Sequence, residues 1–270
     1  MQNIALPKKI EFKAGKDVHE GIVTVEPLFP GYGMTLGNSL RRVLLSSLPG
    51  AAVIGAKIKG ASHEFMALPH VKEDVLEILL NLKQLRLKTF TEEEVRLDLK
   101  VKGKKTVKAS DITKNSEVEI KNPELVIAHI TDEAGSLDIE ITVQEGRGYK
   151  MSENVKKDTR EIGYIEIDSV FSPVTLVSIS VENTRVGKMT NWDKLVLDIK
   201  TDGTITAENA FNEAVKILVD QYSSFLAISG QKEEKTVAAP EAIAEETEEV
   251  EEAKEEKAEK KEKKAKKIKK

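Results

Sequence analysis

An α+β fold built on antiparallel sheet is predicted by three features of this 270-residue sequence. Segments with a two-residue apolar period are short and numerous. Stretches with a helical apolar period occur three times. The two kinds do not alternate in the strand–helix–strand order that a parallel sheet requires.

Residues 8–28 read as strands: Ile10 and Phe12 alternate with polar neighbours, and Ile22, Val23 and Val25 follow. Pro30-Gly31-Tyr32-Gly33 is a turn cluster. Thr35 is placed to cap a helix over 35–48, which Pro49-Gly50 stops. Short strands return over 51–68. Val71, Val75, Ile78, Leu79 and Leu82 form one apolar stripe, so a helix is predicted from Lys72 to Leu82. Glu73 and Asp74 suit its N-terminal end, where carboxylates meet the positive pole of the helix dipole. From Leu85 the period falls to two, through Leu87, Val95, Leu97, Leu99 and Val101, and Gly103-Lys104-Lys105 marks a hairpin. More short strands fill 106–149, including 137–143. Gly146-Arg147-Gly148-Tyr149 opens a polar stretch to Glu161 that reads as a mobile loop. Strands resume over 162–168, 174–182 and 194–201, with a turn at 201–204. The last element is a helix over 207–229, with Thr206 as its N-cap and Gly230 as its end.

Composition narrows the function classes. Charged residues make up 33% of the chain, and 25 of them fall within the 40 residues 231–270. Within that tail, 241–256 carry nine Glu and one Lys, and 257–270 carry nine Lys and two Glu. Such a segment buries too little apolar surface to offset its ordering entropy and is expected to be disordered. The Lys-rich end leaves open a weak contact with nucleic acid or acidic partners. With no Cys there is no disulfide framework, thiolate metal site or cysteine nucleophile. No apolar run approaches a bilayer span and no signal peptide opens the chain, so a soluble cytoplasmic protein is expected, without membrane association. The formal net charge of −4 gives the whole chain no electrostatic reason to coat nucleic acid.

Motifs for catalysis are missing. Gly31-Tyr32-Gly33-Met34-Thr35-Leu36-Gly37 resembles a dinucleotide loop but is one residue too long. Neither a phosphate loop nor a nucleophile elbow occurs. His19, His63, His70 and His129 do not combine with carboxylates into a metal-binding spacing, and structural or surface roles are expected for them.

Two helices carry more pattern than one core requires. In 35–48, Leu36, Leu40, Val43 and Leu44 share a face that suits a sheet or another helix. On the other side Asn38, Arg42 and Leu45 stack at i, i+4 and i+7, either as a solvated back face or as a partner-binding stripe. In 207–229, Phe211, Val215, Leu218, Tyr222 and Phe225 follow a 4-3-4-3 spacing, which fits packing on the chain's own sheet or a self-association seam.

Four stretches carry a family resemblance. VEPLFPGYGMTLGNSLRRVLLSSLPGAAV at 25–53, HEFMALPHVKEDVLEILLNLKQLRLK at 63–88, QEGRGY at 144–149 and DKLVLDIKTDGTITAENAF at 193–211 closely resemble the bacterial DNA-directed RNA polymerase alpha subunit. The match runs in order over residues 5–230. It implies a discontinuous dimerisation domain of 1–49 and 174–230, in which an antiparallel sheet carries two long helices, interrupted by an inserted mostly-β domain at 50–173. It implies that the helices at 35–48 and 207–229 meet their symmetry mates, through Leu36, Leu40 and Leu44 and through Phe211, Val215, Leu218, Tyr222 and Phe225. It also implies a chain without catalytic residues, metal or cofactor, which dimerises and then docks the beta and beta prime subunits, with omega and sigma joining the complex. In that complex Mg²⁺ and nucleotidyl transfer belong to the large subunits, and DNA is met indirectly. The family motif LGNxLRR places the beta-docking arginine at Arg42, with Asn38, Leu45, Ser46 and the loop at His63-Glu64 as neighbours. Most members continue into a small DNA-binding domain, where this sequence has the Glu/Lys tail. The competing expectation is a stand-alone dimeric module that contacts nucleic acid through its Lys-rich end.

Overall fold

A computed structural model describes residues 4–15, 17–152 and 163–228. The elements begin with β1 (Lys9–Ala14), β2 (Glu20–Leu28), α1 (Tyr32–Ser46) and β3 (Pro49–Ile58). After α2 (Val75–Lys83) come β4 (Leu87–Thr89), β5 (Val95–Lys102), β6 (Lys105–Lys108), β7 (Val118–Ile120), β8 (Val126–Ile130) and β9 (Ser136–Arg147). The chain closes with β10 (Tyr149–Lys150), β11 (Tyr164–Glu166), β12 (Ser169–Val170), β13 (Val174–Val186), β14 (Met189–Thr201) and α3 (Ala207–Ile228). Every strand pairing among them is antiparallel, so the α+β prediction holds.

Two sheets organise residues Met1–Ser223, which form one compact unit. The first has the order β1-β2-β14-β13. One of its faces carries α1 and α3, and the core beneath them joins Val23, Val25 and Leu28 to Leu40, Leu44, Leu197 and Phe211. The second sheet runs β5-β9-β3-β4-β7, with β11 also paired to β3. Its core, drawn from Val53 to Ile167, includes Ile78 and Leu82 of α2. The remaining unit is described only over Ser224–Ile228, the exposed last turn of α3.

Period-two sequence produces these sheets directly. β5 alternates buried and exposed residues along its whole length, because Val95, Leu97, Leu99 and Val101 face the core while Arg96, Asp98 and Lys100 face water. In β14, Leu195, Leu197 and Ile199 point inward. β2 changes parity: Val23 and Val25 are buried, and then Leu28. The register slips there, since Leu195 lies opposite Val25 and Asp193 opposite Leu28. The extra residue falls at Glu26-Pro27, where proline has no N–H to give the ladder.

Several boundaries differ from the sequence reading. α1 begins at Tyr32, not Thr35, and its N-cap is Gly31, whose left-handed φ of 87° provides no side-chain cap. Thr35 instead donates its hydroxyl to the Gly31 carbonyl oxygen at 3.2 Å. Pro49-Gly50 stops α1 but also opens β3. Gly50 lies opposite Gly146, and a Cβ on either would collide with Phe171. α2 begins at Val75 because the preceding backbone is used elsewhere: Lys72 N–H donates to the His129 carbonyl at 3.0 Å and Val75 N–H to that of Met66 at 3.0 Å. β14 begins at Met189, five residues before the predicted start at 194. Thr206 caps α3 as predicted, accepting the Asn209 N–H at 3.3 Å. The expected mobile loop falls largely on 153–162, and the helix end at Gly230 and the charged tail on 229–270, outside the described residues. No helix among the described residues is long and apolar enough to cross a membrane.

Candidate functional site

The two faces of α1 do different jobs. Gly33, Gly37, Leu40 and Leu44 are buried, which places one residue per turn against the sheet. The two glycines permit an unusually close approach. A Cβ on Gly37 would stand 2.9 Å from Leu195 Cδ1 and 3.1 Å from Ile179 Cγ2. On Gly33 it would stand 2.9 Å from Val181 Cγ1. The glycine-rich stretch that resembled a nucleotide loop is therefore a helix–sheet contact surface.

The first turn of α1 is held from the sheet. Oδ2 of Asp193, on β14, accepts the backbone N–H groups of Gly31 at 2.9 Å and Gly33 at 3.0 Å. This carboxylate is buried, and the positive pole of the helix offsets its desolvation. Beside it the Trp192 ring meets Phe29 edge-on at 5.9 Å, and Phe29 meets Tyr32 at 6.1 Å.

The opposite face of α1 presents Asn38, Arg42 and Ser46, all exposed. The Arg42 guanidinium makes no hydrogen bond or ion pair with any described residue. The Ser46 hydroxyl donates to the Arg42 carbonyl at 2.8 Å, which keeps that side chain on the helix surface. Leu45, expected to be exposed, is half-buried and packs against the core under α1. A planar cation with five donors, flanked by an amide and partly exposed apolar surface, suits a partner that offers carboxylates or carbonyls.

His63 and Glu64 lie elsewhere. They line a cleft of 570 Å³ with Leu76, Leu80 and Lys83 of α2 and with Tyr164–Asp168, and no residue of α1 lines it. In that cleft the Ser152 N–H, at 2.9 Å, holds the Asp168 carboxyl below its usual range, helped by the Tyr149 hydroxyl, also at 2.9 Å. The same carboxylate pushes the Tyr149 phenol up. No cluster of three or more metal-ligating side chains occurs among the described residues.

The expected dimer residues divide. Leu40, Leu44 and Phe211 are 7%, 0% and 4% exposed, committed to the chain's own core, so a partner helix cannot reach them. The resemblance assigned them to a symmetry mate; the sheet beneath them already fills that role. Leu36, Tyr222 and Phe225 are exposed, and Val215 and Leu218 are half-buried on the same stripe. Sequence reasoning missed Gly33, Gly37 and Asp193. The i, i+4 glycines were a legible sign of close packing; Asp193 left none, because its partner helix lies 160 residues away.

Comparison with known proteins agrees with this architecture. Residues 56–172 match the family model of the RNA polymerase Rpb3/RpoA insert domain. A DNA-directed RNA polymerase subunit alpha from Carboxydothermus hydrogenoformans is 48% identical over 243 residues, which covers 88% of this chain and 77% of that protein. Proteins of the same name from Oceanobacillus iheyensis and Bacillus velezensis are 44% and 45% identical over 237 residues, covering 88% of this chain and 75% of each.

Proposed function

The chain belongs to the bacterial RNA polymerase alpha-subunit family, and on that footing we propose that it is a non-catalytic homodimeric scaffold on which the beta and beta prime subunits assemble in the cytoplasm. In this reading 1–49 with 174–230 make the dimerisation domain and 50–173 the inserted domain. Omega and sigma join the assembled complex. Mg²⁺, nucleotidyl transfer and contact with DNA belong to the larger subunits, and this chain needs no cofactor.

The observation that carries the proposal is the division of α1. Its inner face is consumed by the sheet, and its outer face offers Asn38, Arg42 and Ser46 around an arginine with no partner among the described residues. The dimer seam is supported by the heptad-like run Val215, Leu218 and Tyr222, whose exposure rises along the helix to 56% at Tyr222. Leu36 and Phe225 complete the set.

Co-expression of the full chain with the beta subunit tests both halves. Arg42→Ala is expected to leave the dimer intact in sedimentation and to weaken capture of beta. Leu218→Asp places a charge in the apolar seam, at a cost of several kcal/mol, and is expected to yield monomers. A dimeric Leu218→Asp chain would move the seam elsewhere, and loss of the dimer in Arg42→Ala would overturn the assignment of the two faces.

A further inference from the structure

A docking stripe on a helix is useful only if the helix cannot roll. One residue of α1 rotates its surface by about 100°, so a roll of that size would carry Arg42 from the solvent side toward the sheet. The first turn of α1 has no capping side chain of its own: Gly31 lacks a side chain and the first turn contains no acidic residue. Leu40 and Leu44 pack the middle of the helix on the sheet, and the first turn is held by hydrogen bonds from β14. Asp193 is 8% exposed, and its Oδ2 takes both first-turn N–H groups, from Gly31 at 2.9 Å and from Gly33 at 3.0 Å. The fit admits one rotation. At Gly33 even a Cβ would come within 3.0 Å of that same oxygen, whereas the flanking positions hold Tyr32 and Met34.

We propose that Asp193 is a positioning residue for subunit docking: its buried carboxylate pins the first turn of α1 and thereby aims Asn38 and Arg42 at the beta subunit. This rests on the reading that beta meets the outer face of α1. The neighbouring residue supplies a probe, because Trp192 is the chain's single tryptophan and packs on Phe29, which in turn meets Tyr32 of α1.

The test compares Asp193→Ala, Asp193→Asn and Ile199→Ala in the full chain, each co-expressed with beta. Ile199 is 0% exposed in the same core and lies beside Gly21, against which Ala207 of α3 packs, so its truncation lowers stability without touching the first turn of α1. Capture is measured at a temperature where each variant is folded by circular dichroism. Asp193→Ala is expected to keep the dimer, shift Trp192 emission and lower capture by about tenfold, as loss of hydrogen bonds to a charged group implies. Asp193→Asn keeps an acceptor oxygen and should lose about threefold. Ile199→Ala should capture beta within about twofold of the parent. Should Asp193→Ala not fold, Asp193→Asn decides: reduced capture by an intact dimer supports the proposal, and parental capture overturns it. Equal loss of capture in Ile199→Ala also overturns it, because stability rather than aim would then be the cause. If Arg42→Ala captures beta normally, the docking reading fails on its own, and the Trp192 shift still reports whether Asp193 holds α1: an unshifted emission in Asp193→Ala removes the positioning role as well.

Discussion

In the core that runs from Val53 to Ile167, the strands spend their apolar periodicity on the fold: β5 alternates buried and exposed without a break, and Ile139, Ile141 and Val143 of β9 are each 0% exposed, while Leu76 and Leu80 of α2 stay exposed along the cleft. In the core under α1 and α3 the same kind of periodicity overshoots. It buries Ala210, Phe211 and Ala214, then continues to Val219 and Tyr222, which are 55% and 56% exposed. The two regions use one sequence rule to different ends. A pattern that closes on itself contributes stability, and a pattern that outlasts its core leaves apolar surface exposed, the surface that the proposed dimer would use. Substitutions in the first region should therefore change how firmly the chain folds, and substitutions on the overshoot should change what it joins.

The strongest challenge to this contrast is Leu99→Ala. Leu99 is 0% exposed and lies opposite Ile139 on β9. Truncation should cost about 2–5 kcal/mol, the range for emptying a well-packed leucine site. Urea unfolding followed by far-ultraviolet circular dichroism should show the loss. Trp192 sits in the other region, so the midpoint read from its emission should move less. Equal displacement of both probes would mean that the two cores melt as one and would limit the contrast to surface exposure.

A smaller effect in the first region comes from a buried carboxylate. Glu73 is 6% exposed; Oε2 accepts the His129 backbone N–H at 2.6 Å, and Oε1 meets the His129 Nδ1 at 2.5 Å. Burial pushes its carboxyl up, but the His129 contacts and a hydrogen bond from its own backbone N–H together outweigh it, and the net position lies below the ordinary 4.5. A folded value below the unfolded one stabilises the protein above about pH 4.5 and is lost as pH falls through the folded value. Glu73→Gln should cost about 1–3 kcal/mol at neutral pH. The gap between parent and variant should narrow below about pH 4.5, as read from urea midpoints. A gap that stays constant into acid would show that shape, rather than charge, is what Glu73 supplies.

These residues also mark what the sequence can and cannot reveal. β5 and the inward face of β14 were legible because a two-residue period needs only neighbours. Thr206 was legible as a cap because its acceptor and donor lie within one turn. The exposed stripe of Asn38 and Arg42 followed from helical spacing alone. Illegible features depend on distant partners. The start of α1 is set by Asp193, the start of α2 by hydrogen bonding of Lys72 to β8, and the inward turn of Leu28 by a bulge at Pro27. The same limit explains Leu40, Leu44 and Phe211: periodicity places them on an apolar face but does not say whether a sheet or a second chain covers it.

The smallest effect sharpens the contrast from the other side. Thr206 opens α3: its carbonyl accepts the Ala210 N–H at 2.9 Å and its hydroxyl oxygen accepts the Asn209 N–H at 3.3 Å. The second bond is long, so Thr206→Ala should cost about 0.5–1 kcal/mol, the lower part of the range for a lost N-cap, and Thr206→Ser should restore most of it. Because Phe211 of α3 shares the core of Leu195 and Leu197 on β14, the loss should displace the Trp192 midpoint and leave the circular-dichroism transition of the β-rich core nearly in place, the mirror image of Leu99→Ala. A cap that moved both transitions equally would tie the first turn of α3 to the far core and erase the distinction between the two regions.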